Sequence, residues 1–174
     1  MSNSHNNFHL YDFEDRWLED LTYELYKFNR KTQMNYFKKI SNFRSFNGKI
    51  KFLRQELLDL IDSCDYNLIT IDETIPNNHK PYIFSCYRIE EEKCYIKLIF
   101  KSVDYPISKH MFDVNLKMFD KIKDLGFKKL YSIIDRPDED RYIKFLKRFY
   151  NVEINKRTND YTELVFNLEN LLTN

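Results

Sequence analysis

The sequence predicts one α/β domain: a mixed central sheet of about six strands, with N-terminal helices and two later helices packed on it. Three observations predict it. The first third carries apolar residues at helical spacing, the middle switches to short β-rich runs, and from residue 111 helical and strand patterns alternate. The chain has 174 residues, enough to bury a core without disulfides or metals. No linker, repeat or low-complexity block divides it, so residues 1–10 read as a polar N-terminal tail and 11–174 as the domain.

Phe13, Trp17, Leu21, Leu25 and Phe28 recur every three or four positions and mark the apolar face of a helix over 11–29. Met34, Phe37, Ile40 and Phe43 form a second such series, closed by the turn signal Asn47-Gly48. Ile50, Leu53, Leu57, Leu60 and Ile61 repeat the period up to Cys64. Strands are then expected at 68–71, 82–89 and 94–103, separated by Pro76-Asn77-Asn78 and by Glu90-Glu91-Glu92, the last two strands forming a hairpin. Met111, Val114, Met118, Phe119 and Ile122 restore helical spacing, and Gly126 stands where a helix C-cap belongs. A buried strand at 129–134, a helix at 142–150 and a closing hairpin of 152–156 with 161–168 complete the order. Asp135, Asp138, Glu139 and Asp140 precede that last helix and suit its N-terminus as caps.

Composition narrows the function. Lys plus Arg number 28 against 27 Asp plus Glu, a net charge of +1, so no global excess drives nucleic-acid binding. No apolar run approaches the roughly 20 residues of a membrane span, and Met1-Ser2-Asn3-Ser4-His5-Asn6-Asn7 lacks a secretion signal. A cytoplasmic product is expected, or one packed into a particle. Cys64, Cys86 and Cys94 are widely spaced, and His5, His9, His79 and His110 form no ligand motif; free buried thiols and no metal site are expected. The chain has no alanine and two glycines, with Asn, Lys, Ile, Phe and Tyr abundant, as AT-rich codons produce. That bias points to an AT-rich bacterium, a phage or a large virus.

Helices, three strands, helix, strand, helix and two strands is an order that resembles the GNAT superfamily of N-acetyltransferases over nearly the whole chain. In that family the strand before the central helix ends in a loop of the form P-x-x-[QR]-x-x-G-x-[GA], whose amides cradle the cofactor pyrophosphate at the helix N-terminus. The corresponding stretch here is Val103-Asp104-Tyr105-Pro106-Ile107-Ser108-Lys109-His110-Met111-Phe112-Asp113-Val114. Pro106 and Lys109 match. Phe112 and Val114 fall at the two glycine positions, where their side chains are expected to intrude on the phosphate path, and Asp104 and Asp113 add repelling charge. The family's tyrosine acid maps to Leu146, beside Phe145; Tyr142 or Tyr150 would serve if the match slips by one turn.

The resemblance with these departures implies a GNAT-like fold without acetyl transfer. No catalytic residues and no cofactor are then expected, and the partners are other proteins, viral structural proteins or further copies of the chain, in a virion or assembly component. The alternative is a divergent N-acetyltransferase, with acetyl-CoA held by backbone around 107–112. Lys109-His110 reads as a solvated basic pair. Lys144, Lys147, Arg148, Lys156 and Arg157 read as a solvated rim around the core aromatics Phe145, Phe149 and Tyr150.

Overall fold

A computed structural model describes residues 8–32, 35–74, 79–136 and 138–172, with backbone only at 32 and 35–38. Seven strands form one sheet in the order β1-β2-β3-β4-β5-β7-β6. They are β1 (Phe8–Asp12), β2 (Tyr66–Asp72), β3 (Lys80–Glu90), β4 (Lys93–Lys101), β5 (Lys129–Ile134), β6 (Val152–Arg157) and β7 (Thr162–Asn167). All neighbours are antiparallel except β4 and β5. The four α-helices are α1 (Leu18–Thr32), α2 (Phe46–Ser63), α3 (Lys109–Asp124) and α4 (Glu139–Leu146).

The sheet separates two apolar layers. On one face Trp17, Leu21, Leu25, Leu53 and Leu57 of the α1 and α2 segments cover Ile69, Phe84, Leu98 and Phe100. On the other, Val114, Met118 and Ile122 of α3 and Ile143 and Leu146 of α4 cover Tyr87, Ile96, Leu130 and Phe166. Each such aliphatic side chain removed from water contributes about 1.5–3 kcal/mol, which offsets the cost of ordering the chain.

Local chemistry sets the element ends. Ser45 caps α2 by accepting from the Gly48 amide at 3.0 Å. Gly126 ends α3 at φ +101°, a conformation that a Cβ disfavours. Glu91 and Glu92 form the two-residue β3–β4 turn, both at positive φ, in positions that usually hold Asn or Gly.

Four expectations change. The sheet has seven strands, because β1 begins at Phe8, inside the stretch read as a tail, and pairs Phe8–Asp12 with the opposite run of β2. α1 consequently starts later, at Leu18, after a short 3-10 turn at Asp15–Trp17. Residues Asn35–Asn42 wind as a 3-10 helix instead of a regular one. Asn47-Gly48 lies inside the first turn of α2 and makes no break, because Ser45 already supplies the cap. Met34 and the turn Pro76-Asn77-Asn78 lie outside the described residues, as does the side chain of Phe37. The three cysteines are free, Cys86 and Cys94 buried and Cys64 half-buried.

Candidate functional site

The middle of the sheet carries a deliberate irregularity. Cys86 pairs with Leu98 and Tyr87 with Ile96, so Lys97 is an extra residue in β4, a β-bulge. Successive even positions of a regular strand share one face. Here Cys94 and Ile96 belong to the α3/α4 core, whereas Leu98 and Phe100 belong to the α1/α2 core. The parallel ladder between β4 and β5 runs only from Cys94–Leu130 to Ile96–Ser132 and ends at the bulge. Beyond it β4 and β5 part, leaving a gap whose β4 wall is 97–101 and whose β5 wall is 133–134. Backbone groups facing such a gap have lost the strand that would have satisfied them.

The β4–α3 loop, 102–108, is tied down on the side away from β5. Asp104 accepts from Lys27 of α1 at 2.7 Å and from Lys80 of β3. Those two ammonium groups hold its carboxyl down at about 2, so its charge is already balanced. Tyr105 donates its hydroxyl to Asp72, and Lys101 donates to the Tyr105 carbonyl. Asp72 stays below the usual carboxylate range, because the bonds from Thr74 and Tyr105 outweigh its burial, which pushes the other way.

Of the candidate loop residues, Pro106 and Lys109 are exposed at the entry to α3, and Ile107 between them is 65 % exposed. Phe112 and Val114 are elsewhere. α3 starts at Lys109, with Ser108 at the N-cap, which places both residues within its first two turns. Both side chains are buried in the α3/α4 core, and the Phe112 ring stacks on Phe149 at 3.9 Å between centroids and 16° between planes. They therefore do not project from the loop, and the expected obstruction by these two side chains gives way to ordinary core packing. Lys109 is solvated as expected. His110 is not: its ring lies 4.6 Å from Phe8 and parallel to Tyr82.

Two phenols flank the α3–α4 interface. Leu146, at the family's tyrosine position, is a buried core residue. Tyr142, one turn earlier, is half-buried beneath the Arg136 guanidinium, 4.4 Å from its ring centroid, and burial pushes its phenol up. Tyr150 is buried, accepts from the Asn115 amide at 3.4 Å and is pushed up by burial to about 12. Phe145 and Phe149 are half-buried against Phe112, while Lys144, Lys147, Arg148 and Lys156 are exposed around them. The acids ahead of α4 do not cap it. Asp138 stands at the N-cap with no side-chain cap bond and instead holds Arg136. Glu139 accepts from Thr162 and pairs with Arg157.

Lys97 was not legible as special, because Cys94, Ile96, Leu98 and Phe100 alternate as an unbroken strand would. β4 is covered on both faces, so no polar face betrays the shift.

No protein-family model matches the sequence, and no curated protein matches it. Solved structures do. The apo form of FdhC, described as a nucleotide-linked sugar GNAT, superposes with TM-score 0.61 at 11 % identity over 94 % of this chain and 88 % of that one. The PaiA N-acetyltransferase of Thermoplasma acidophilum, solved with coenzyme A, gives TM-score 0.60 at 11 % identity over 92 % and 98 %. An acetyltransferase from Thermus thermophilus gives 0.60 at 14 % over 93 % and 97 %. The chain has the GNAT fold. Identities this low speak for the fold alone. Within the GNAT fold of this chain, the bulge at Lys97, the β4–β5 gap and the entry to α3 lie along one path, from the middle of the sheet to its carboxyl edge. Among the described residues no helix is long and apolar enough to cross a membrane.

Proposed function

We propose that this GNAT-fold chain binds an acyl-CoA, acetyl-CoA in the simplest case, in the gap between β4 and β5, and transfers the acyl group to an amine. The observation that carries the reading is the ladder that stops at Ile96–Ser132, beside the extra residue Lys97. An extended, amide-bearing arm suits strand edges with unpaired backbone groups. The loop fits an anionic end group. Phe112 and Val114 are withdrawn into the core, Asp104 is neutralised by two lysines, and Lys109 is exposed at a helix start whose first amides have no intrahelical acceptor.

Coenzyme A would supply the thioester that an amine attacks. The chain's part is to hold the phosphates at Lys109 and the first turn of α3, to align the arm along 97–101, and to shield the gap with α3 and α4. Tyr142 is the phenol better placed to give up a proton near that interface, because Tyr150 is engaged with the Asn115 amide and exposes less of its surface. Calorimetry with acetyl-CoA tests the reading. Binding in the micromolar range, weakened by Lys109→Glu, is expected; no heat at millimolar acetyl-CoA would overturn it.

A second reading has its own support: a GNAT-fold protein without acyl transfer, acting as an interaction or structural component, in a virus or phage among other settings. The loop 102–108 contains neither of the chain's glycines, Gly48 and Gly126, and Leu146 offers no proton where the family has a phenol. Absence of acetyl-CoA binding together with co-purification in particles from the native source would establish it.

A further inference from the structure

Apart from the β4–β5 gap, a second concavity of about 390 Å³ opens where the β5–α4 connection meets the β6–β7 turn. That volume lies within the range that holds a small molecule, roughly 300–1,000 Å³. Its walls are unusual for such a pocket, being formed by charged side chains, three arginines and three carboxylates, with Thr158 beside them.

The pairing among these groups leaves a residue of both signs. Arg136 is taken up by Asp138, through both carboxylate oxygens, and by the face of Tyr142. Arg157 is shared between two acids, Glu139 at 3.2 Å and Asp140 at 3.1 Å, so that pair of carboxylates keeps one negative charge in excess. Arg141, the neighbour of Asp140 in α4, has no carboxylate within 4 Å among the described residues. The pocket is neutral in sum but offers a guanidinium that acts on Asp138 only at longer range, close to an under-neutralised acidic pair. A plain anion would satisfy the first and be repelled by the second; a plain cation would meet the reverse.

We propose that this pocket binds a free amino acid or a similarly compact zwitterion, its carboxylate on Arg141 and its ammonium at Asp140 and Glu139. The forked guanidinium matches a carboxylate with two parallel bonds, which a lysine could not do. The walls are largely exposed, the Asp140 side chain by 88 %, which sets the affinity low, in the range of a metabolite present at high concentration, since water competes for every contact. The pocket begins two residues beyond the end of β5 and touches Tyr142 through Arg136, and its occupancy by an amino acid is measured without acyl-CoA present.

The test is saturation-transfer NMR on the full chain, with the twenty common amino acids offered one at a time at millimolar concentration, followed by calorimetry on those retained. Each retained amino acid is compared with its decarboxylated amine and its deaminated acid. At least one amino acid is expected to bind, with both analogues weaker by about tenfold or more. Arg141→Gln is expected to lose the binding, and Arg148→Gln, on the exposed end of the same segment, to keep it. Retention of no amino acid overturns the proposal, as does equal binding by either analogue, which would make the pocket a simple anion or cation site. Unchanged binding by Arg141→Gln overturns it too, and because Arg141 is exposed its replacement leaves the melting temperature as a check on folding.

Discussion

Ile96 and Leu98 face opposite sides of the sheet although they stand two positions apart in one strand, Ile96 in the α3/α4 core and Leu98 in the α1/α2 core. Lys97 between them has no partner position on β3 and absorbs the half-turn. The gap between β4 and β5 begins at this residue, so its presence in the chain matters more than its side chain. Deleting Lys97 would make Ile96 and Leu98 neighbours, and neighbours in a regular strand face opposite sides, so Ile96, Leu98 and Phe100 would keep their layers while the bulge is lost. The deletion therefore spares both cores and removes the irregularity beside which the ladder to β5 stops. Thermal unfolding followed by circular dichroism should keep a cooperative transition for the deletion, while calorimetry should show acetyl-CoA binding lost. Lys97→Ala, which removes the ion pair with half-exposed Glu90 and the cation contact over the Tyr95 ring, should melt within a few degrees of the parent. A folded deletion variant that still binds acetyl-CoA would mean that the bulge is dispensable to the site.

Phe112 discriminates between a plugged loop and a packed core. It is 8 % exposed and stacks on Phe149, so Phe112→Ala should destabilise the protein by about 3–5 kcal/mol in urea unfolding. A side chain merely projecting into a phosphate path would cost less than about 0.5 kcal/mol when trimmed. The small value would restore the obstruction that the sequence suggested.

Much of the architecture was readable because it rests on periodicity. Leu21 and Leu25, or Met118 and Ile122, repeat at helical spacing and end up in the helix faces they foretold. The unreadable parts have identifiable causes. β1 is an edge strand of five residues, and its Tyr11 and the following Phe13 also fit the helical series that continues through Trp17. The candidate loop failed by register: a motif aligned on Pro106 and Lys109 carries its glycine positions into a helix that has already begun at Lys109. The charged pocket was visible only as four acids and an arginine, which caps explain equally well; Arg157 arrives from a hairpin about twenty residues later in the chain, a distance no local pattern spans.

The β3–β4 turn holds a reserve of stability. Glu91 and Glu92 sit at φ +48° and +64°, and a two-residue turn with both residues left-handed favours Asn-Gly. Glu91→Asn with Glu92→Gly should relieve that strain and raise stability by about 0.5–1 kcal/mol, despite the extra freedom glycine gives the unfolded chain. Denaturant midpoints at unchanged slope would measure it. A lower midpoint would show that the hairpin depends on those carboxylates.

Asp104 ties the β4–α3 loop to α1 and β3, and its lysine partners depress its carboxyl to about 2, from about 3.9 in an unfolded chain. A group whose folded pKa lies below its unfolded one adds stability that is complete above about pH 4 and is given up as the pH falls toward 2. Asp104→Asn should therefore lower stability at neutral pH and flatten its decline between about pH 4 and pH 2, relative to the parent. The carboxylate is half-exposed, so solvent screening keeps the effect modest. Lys27 and Lys80 would also lose Asp104 in that variant and keep only Glu24 between them, which leaves one net positive charge next to the loop entry to α3. If the loop receives phosphates, acetyl-CoA should bind Asp104→Asn more tightly at low salt, with the gain vanishing as salt is raised. Parallel pH-unfolding curves for parent and variant would place Asp104 outside the loop's anchoring, whatever the binding result.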